Sequence, residues 1–153
     1  MASTVSFQQT KEQQRAKAAW EAVNEVDAYK HGEVDKIKKK YRSLVLKSSV
    51  LILSNGLGQA TAFFSAKSQP KEGKPPSADN IAHKLLLTHL WGWLEEVQIC
   101  SLSQQDVKDT HKLPLWVTQA TSEQYRHATM ETLSYLHWLR RFAEAVLPEP
   151  EGE

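Results

Sequence analysis

Cysteine is nearly absent from this chain: Cys100 stands alone among 153 residues. A lone thiol excludes an intrachain disulfide and any multi-cysteine metal site. Histidine occurs at 31, 83, 89, 111, 127 and 137, but never as His-x3-His or His-Glu-x-x-His, so zinc finds no support. A Walker-type Gly-Lys-Ser/Thr is missing, as are internal repeats and any alternating pattern strong enough to specify a sheet. No apolar run approaches the roughly 18 residues of a membrane helix. Residues 1–9 lack the basic-then-apolar order of a secretion signal, and the expectation is a cytoplasmic protein with no membrane partner. Catalytic pairs are also wanting. Glu95 and Glu96 are adjacent and diverge on a helix, and Cys100 has no local activating pattern. The expectation is a chain without catalytic site, metal or cofactor.

What remains is ordinary in bulk: 41% hydrophobic and 24% charged residues, the size and balance of one domain with a real core. The stretch Val50-Leu-Ile-Leu-Ser-Asn-Gly-Leu-Gly-Gln-Ala-Thr-Ala-Phe-Phe64 admits two readings. A buried strand followed by a Gly56-Leu-Gly58 turn would bring backbone N–H groups to a phosphate at a helix end. That fingerprint wants a third glycine where Thr61 stands, and a second strand where the Pro/Lys-rich run 68–77 stands. The alternative is a helix, with positions 50, 53, 57, 60 and 64 on one apolar stripe. Two helical glycines cost roughly 1 kcal/mol each against alanine. Close packing of another backbone must offset this, making Asn55, Gly56 and Gly58 candidate packing or interface positions. The helix is favoured.

The remaining pattern is helical throughout, and the fold class expected is all-α: one domain over 1–153, a compact bundle of about five to six helices. A first amphipathic helix is expected from about Phe7 to Tyr29, after a flexible N-terminus at about 1–6. A second starts near Glu33 and meets the glycine helix around Lys47-Ser-Ser49. An exposed loop at about 68–77 leads into a fourth helix from about Asp79 to Cys100, with Ser77, Asp79 and Asn80 as candidate N-caps. Residues 101–120 are expected to be irregular, with one short turn at 104–108 and Pro114 as an interruption. Thr121-Ser-Glu-Gln124 resembles a capping box opening a long helix to about Val146, where Pro148 and Pro150 stop it and an acidic tail, about 147–153, follows. That last helix has a wide apolar arc, with Trp138 and Phe142 as candidate packing or interface residues.

The charge is polarised. Residues 1–80 carry 13 Lys/Arg against 8 Asp/Glu, an excess of +5, and residues 81–153 carry 6 against 10, an excess of −4. Such polarity suits a basic face for an anionic partner, or head-to-tail contact between copies. The densest cluster is Lys36-Ile-Lys-Lys-Lys-Tyr-Arg42. On a helix Lys36 and Lys40 share a face, as do Lys38 and Arg42, with Lys39 between and Ile37 and Tyr41 turned inward. Clusters of this kind bind phosphate backbones without reading sequence. In an arbitrary protein the same run would be a solvated helix face. Lys47 extends the patch, and Arg15, Lys17, Arg140 and Arg141 are second-rank candidates.

Three segments together resemble a known family. Gln14-Arg-Ala16, Lys40-Tyr-Arg-Ser-Leu-Val45 with Ser54-Asn-Gly-Leu-Gly-Gln-Ala-Thr-Ala-Phe-Phe64, and Glu131-Thr-Leu-Ser-Tyr-Leu-His-Trp-Leu-Arg-Arg-Phe-Ala-Glu-Ala145 are similar to the small subunit of type III-B CRISPR–Cas (Cmr) RNA-guided effector complexes. The resemblance implies an all-helical, non-catalytic subunit. Its copies would stack along a filament beside the backbone subunit that holds the guide RNA, and help bind target RNA through a basic face in antiviral defence. The partners implied are other Cmr subunits, further copies of itself, guide RNA and target RNA. One departure is Lys47-Ser-Ser-Val50, where relatives are expected to carry proline at a helix junction. With this resemblance, phosphate binding becomes the preferred reading of the basic cluster. The competing readings are a nucleotide-binding enzyme built on Gly56-Leu-Gly58, and a purely protein-binding helical scaffold.

Overall fold

In the computed structural model, residues 9–150 are described, and every regular element among them is an α-helix. In chain order these are α1 (Lys11–Asp27), α2 (Val34–Lys67), α3 (Ala78–Glu96), α4 (Asp109–Gln119) and α5 (Ser122–Val146). The expected flexible N-terminus, Phe7 and the last three residues of the acidic tail lie outside the described residues.

Three helices begin in the same way. Thr10, Ser77 and Thr121 each accept a bond from the N3 backbone amide, and the N3 side chain, Gln13, Asn80 or Gln124, accepts from the cap amide. Such a reciprocal cap satisfies two backbone N–H groups that the helix cannot pair itself. The box expected at Thr121 is present, and Ser77 is the cap used before α3. The first helix starts at Lys11, four residues later than the apolar pattern indicates, because Thr10 caps it there.

The centre of the molecule is α2, 34 residues long and packed against α3, α4 and α5. The sequence pattern places two helices here with a junction at Lys47-Ser-Ser49. Instead the helix runs through this point: Ser48 is buried and its hydroxyl donates to the Leu44 carbonyl at 2.7 Å. The break falls at Gly56, with φ 87° and ψ 157°, a conformation essentially confined to glycine. The kink re-phases the apolar stripe. Ile37, Tyr41, Leu44, Val45 and Ile52 are buried before it, and Leu57, Ala60 and Phe64 after it. Val50 and Leu53, expected on the stripe, are therefore 62% and 72% exposed.

Pro114 makes residues 109–119 read as irregular, yet they form α4 with Pro114 inside it. The proline removes one N–H from the ladder. Burial of Leu113 and Trp116 on either side of it outweighs that loss. On α5 the buried face is Ala128, Glu131, Thr132, Tyr135, Leu136, Leu139 and Ala143, so one helix faces one core. Trp138 and Phe142 are half-buried at its edge. Phe142 meets Trp20 of α1 edge-on at 5.2 Å, and the Trp138 indole donates to Glu12. Trp91, Trp93 and Trp116 are core residues, with Trp93 stacked on Tyr135 at 5.6 Å.

Candidate nucleic-acid interface

The first half of α2 carries the candidate basic residues, and the tertiary structure sorts them into two groups. Ile37, Tyr41, Leu44 and Val45 turn into the core, which fixes the rotation of the helix. With that rotation Lys36, Lys39, Lys40, Ser43 and Lys47 share a groove of about 520 Å³, together with Asp35 and Pro150. From Lys36 to Lys47 the helix rises about 16 Å. Lys40 and Lys47 are exposed and form no ion pair among the described residues. Lys36 reaches Glu33 at 3.9 Å, and Lys39 reaches Asp35 at 3.1 Å. Both are surface pairs one turn apart, which a phosphate can replace at little cost.

Lys38 and Arg42 are engaged elsewhere. Lys38 lies 3.2 Å from Asp27 and ties α2 to the end of α1. Arg42, with its side chain only 12% exposed, donates to the carbonyls of Leu147 at 3.0 Å and Glu144 at 3.3 Å. A guanidinium there satisfies the unpaired carbonyls at the end of α5 and complements its dipole. Its other terminal nitrogen lies 3.8 Å from Glu149. Within residues 36–42 the cluster contains no acid, as the sequence indicates. The fold supplies acids from Asp27, Glu33, Asp35 and Glu149.

The second-rank candidates do not line the groove. Arg15 is a structural cation. Its Nε and Nη2 donate to Glu131 at 2.5 and 2.9 Å across the α1–α5 seam, and Trp93 Nε1 donates to the same carboxylate at 3.0 Å. Burial alone would push the Glu131 carboxyl up. The bonds from Arg15 and Trp93 and the charges of Arg15 and Lys11 outweigh that and hold it below the usual range. The Arg15 guanidinium is correspondingly raised, chiefly by its bond to Glu131. Lys17 and Arg141 are exposed, and Arg140 approaches Glu144 at 4.0 Å. Neither Arg140 nor Arg141 is in the last turn of α5, which continues to Val146.

The glycine segment is a packing device. An added Cβ at Gly56 would come within 3.1 Å of the Tyr125 hydroxyl, and one at Gly58 within 3.0 Å of a Val117 methyl. The kink frees the Gly58 N–H, which donates to the Tyr125 hydroxyl at 3.0 Å. Asn55 bonds locally, its amide donating to the Leu51 carbonyl at 3.1 Å. A phosphate site here would need a strand before the turn, but residues 50–55 are helical, and the Gly58 amide is already used. The nucleotide-binding reading of Gly56-Leu-Gly58 is thus overturned. Among the described residues no group of three His, Cys, Asp or Glu could hold a metal, and no helix is long and apolar enough to cross a membrane. Burial pushes the Cys100 thiol up to about 12, as expected of a packed rather than reactive cysteine.

Sequence reasoning missed Ser43 and Pro150 in the groove. Ser43 was legible, since it lies four residues from both Lys39 and Lys47. Pro150 was not, because it arrives from the far end of the chain.

Comparison with known proteins agrees with this architecture. Residues 11–146 match the family described as CRISPR-associated protein (Cas_Cmr5). The crystal structure of a CRISPR-associated Cmr5 family protein from Thermus thermophilus superposes with a TM-score of 0.64 at 30% identity. The alignment covers 92% of this chain and all of that one. The chain therefore belongs to the Cmr5 family of CRISPR-associated proteins, the small non-catalytic subunit of the type III-B Cmr complex.

Proposed function

We propose that this subunit stacks along the guide-RNA filament and helps hold target RNA on the groove formed by Lys36, Lys39, Lys40, Ser43 and Lys47. The observation that carries this reading is the alignment of four lysines along one face of α2, with Lys40 and Lys47 exposed and unpaired among the described residues. Such an array attracts a phosphate backbone through charge and counterion release. Its contacts would position RNA, leaving sequence to the guide. The neighbours would be the backbone subunit and further copies of this chain.

A contact with another subunit has its own support. Arg42 reaches the end of α5 and Gly58 reaches its start, so α2 and α5 run antiparallel. Between those two anchors lie Val50 and Leu53 on α2 and Met130 on α5, all largely exposed. Solvent-facing apolar side chains of this size suit burial in an assembly.

The test is a double charge reversal, Lys40→Glu with Lys47→Glu, in the reconstituted complex. Target-RNA affinity should fall, and the log–log salt slope should flatten by about 0.7–0.9 for each phosphate that is no longer neutralised. Unchanged affinity over a salt series would remove the groove from the reading and leave a purely protein-binding scaffold.

A further inference from the structure

The Pro/Lys-rich run 68–77 has no part in the α2 groove, but it walls a second cavity of about 750 Å³. The other walls are the turn between α1 and α2 and the first turns of α3 and α4. Asn80 pins the loop to α3, its amide donating to the carbonyls of Lys67 at 2.7 Å and Gln69 at 3.0 Å. Neither Gly56 nor Gly58 lines this cavity. Its lining is of two kinds. One is apolar and partly flat: the rings of Tyr29, Pro75 and Pro76, with Ile81 and Leu85. The Tyr29 ring meets His31 edge-on at 5.6 Å. The other is cationic. Lys84 and Lys108 are exposed and form no ion pair among the described residues. Asp109, the one acid in the lining, already lies 3.0 Å from Lys112.

The helix α4 begins at this cavity without a side-chain cap. Lys108 holds the cap position, where a residue that accepts a hydrogen bond is usual, and it accepts none. The N–H groups of Asp109 and Thr110 therefore find no acceptor among the described residues. A lysine at the positive end of a helix is unfavourable by itself and becomes favourable once an anion lies between them. A separate observation points the same way. Thr110 is only 7% exposed and lines the cavity, yet its hydroxyl forms no hydrogen bond among the described residues. Buried hydroxyls are ordinarily paired, so this one has a donor left for a ligand.

We propose that this cavity binds a nucleoside phosphate. The phosphate sits at the start of α4, bonded by the Thr110 hydroxyl and the open amides and paired with Lys84 and Lys108. The base lies against the wall of Tyr29 and the prolines. Open amides at a helix start are a natural phosphate site, and the volume is that of a small-molecule pocket. A bare anion would leave the apolar wall uncovered, and an uncharged ring would leave both lysines unpaired. A ligand joining the two parts matches the whole lining. A free mononucleotide and the 5′-phosphorylated end of an RNA carry that same chemistry. The proposal is one of binding only and is independent of the lysine groove on α2.

The experiment uses the full chain carrying Lys40→Glu/Lys47→Glu, so that the α2 groove contributes nothing. AMP, inorganic phosphate and adenosine are titrated separately, and NMR shifts of the Asp109 and Thr110 amides report occupancy. AMP should bind about tenfold or more tighter than either phosphate or adenosine, because each of these supplies only one part of the contact. Adding Lys84→Ala/Lys108→Ala should weaken AMP about tenfold, and Thr110→Val about threefold, with adenosine unaffected by either. Thermal melts check that these variants are folded. A 5′-phosphorylated tetraadenylate and its 5′-hydroxyl form separate the two sources. If the phosphorylated oligomer binds at least as tightly as AMP, and the hydroxyl form does not, the ligand is an RNA end. If AMP binds more tightly than both, it is a free nucleotide. No shift of the Asp109 and Thr110 amides by AMP or oligomer at about 10 mM would overturn the proposal. So would phosphate binding as tightly as AMP, since the apolar wall would then add nothing. Unchanged AMP affinity in Lys84→Ala/Lys108→Ala would overturn it as well.

Discussion

The seam between α1 and α5 and the groove along α2 use the same kind of side chain to opposite ends. In the seam, Arg15 folds onto Glu131, which is 4% exposed and also bonded by Trp93. In the groove, Lys40 and Lys47 stand in solvent and form no ion pair among the described residues. The local sequences give little hint of this difference, since each cation has a basic or acidic neighbour nearby. What differs is the partner brought in by tertiary structure. A cation facing a buried carboxylate is committed to the fold, because removing it strips that carboxylate of its nearest charge partner in a poorly solvated place. A cation facing water keeps its charge available to a phosphate.

The largest effect should come from breaking the seam. Arg15→Ala should cost about 2–4 kcal/mol, somewhat below a fully buried pair because Arg15 is itself partly exposed. The melting point should drop by on the order of 10 °C. If it melted like the native chain, the division between fold-holding and free cations would collapse. Next is Gly58→Val, which drives a branched side chain toward the Val117 methyl and should cost about 1–3 kcal/mol. In the fraction that remains folded, the salt slope of RNA binding should match the native value, because the groove lies before the kink.

Acid sensitivity sharpens the contrast further. The Glu131 carboxyl is held below its unfolded value of about 4.3. The pair therefore contributes stability above that pH, and the contribution disappears as pH falls through the folded value. Glu25 is lowered as well, mainly by His89, whose Nε2 lies 3.4 Å from its carboxylate, and acts in the same direction. Denaturant melts below about pH 4 should lose stability less steeply in Arg15→Ala than in the native chain. Equal slopes would mean that the seam does not govern acid unfolding. The smallest stability effect is expected for Lys40→Glu/Lys47→Glu, within about 0.5 kcal/mol of native. A larger loss there would show that the groove holds the fold as well.

Legibility in the sequence followed the range of the interactions concerned. The capping box at Thr121 and the cap at Ser77 are local, and both could be read from four consecutive residues. The kink was misplaced because Lys47-Ser-Ser49 looks like a junction when the Ser48 hydroxyl has no assigned partner. Its true position depends on Tyr125, 67 residues away, taking the Gly58 amide. Moving the kink to Gly56 also exposed Val50 and Leu53, since one irregular residue shifts the phase of everything before it. Pro114 misled for a related reason: a local penalty was outweighed by burial of Leu113 and Trp116.

By itself, the sequence determined the helical class, most helix starts and the concentration of positive charge on one stretch of α2. These rest on periodicity, capping and composition, which act over a few residues. Only the tertiary structure decided which cations remain free. Arg15 and Glu131 lie 116 positions apart, and Arg42 finds its carbonyls more than 100 positions on. Whether a charge is buried against a partner or left in water depends on how the helices pack, and Coulomb attraction and desolvation then act on that distance alone.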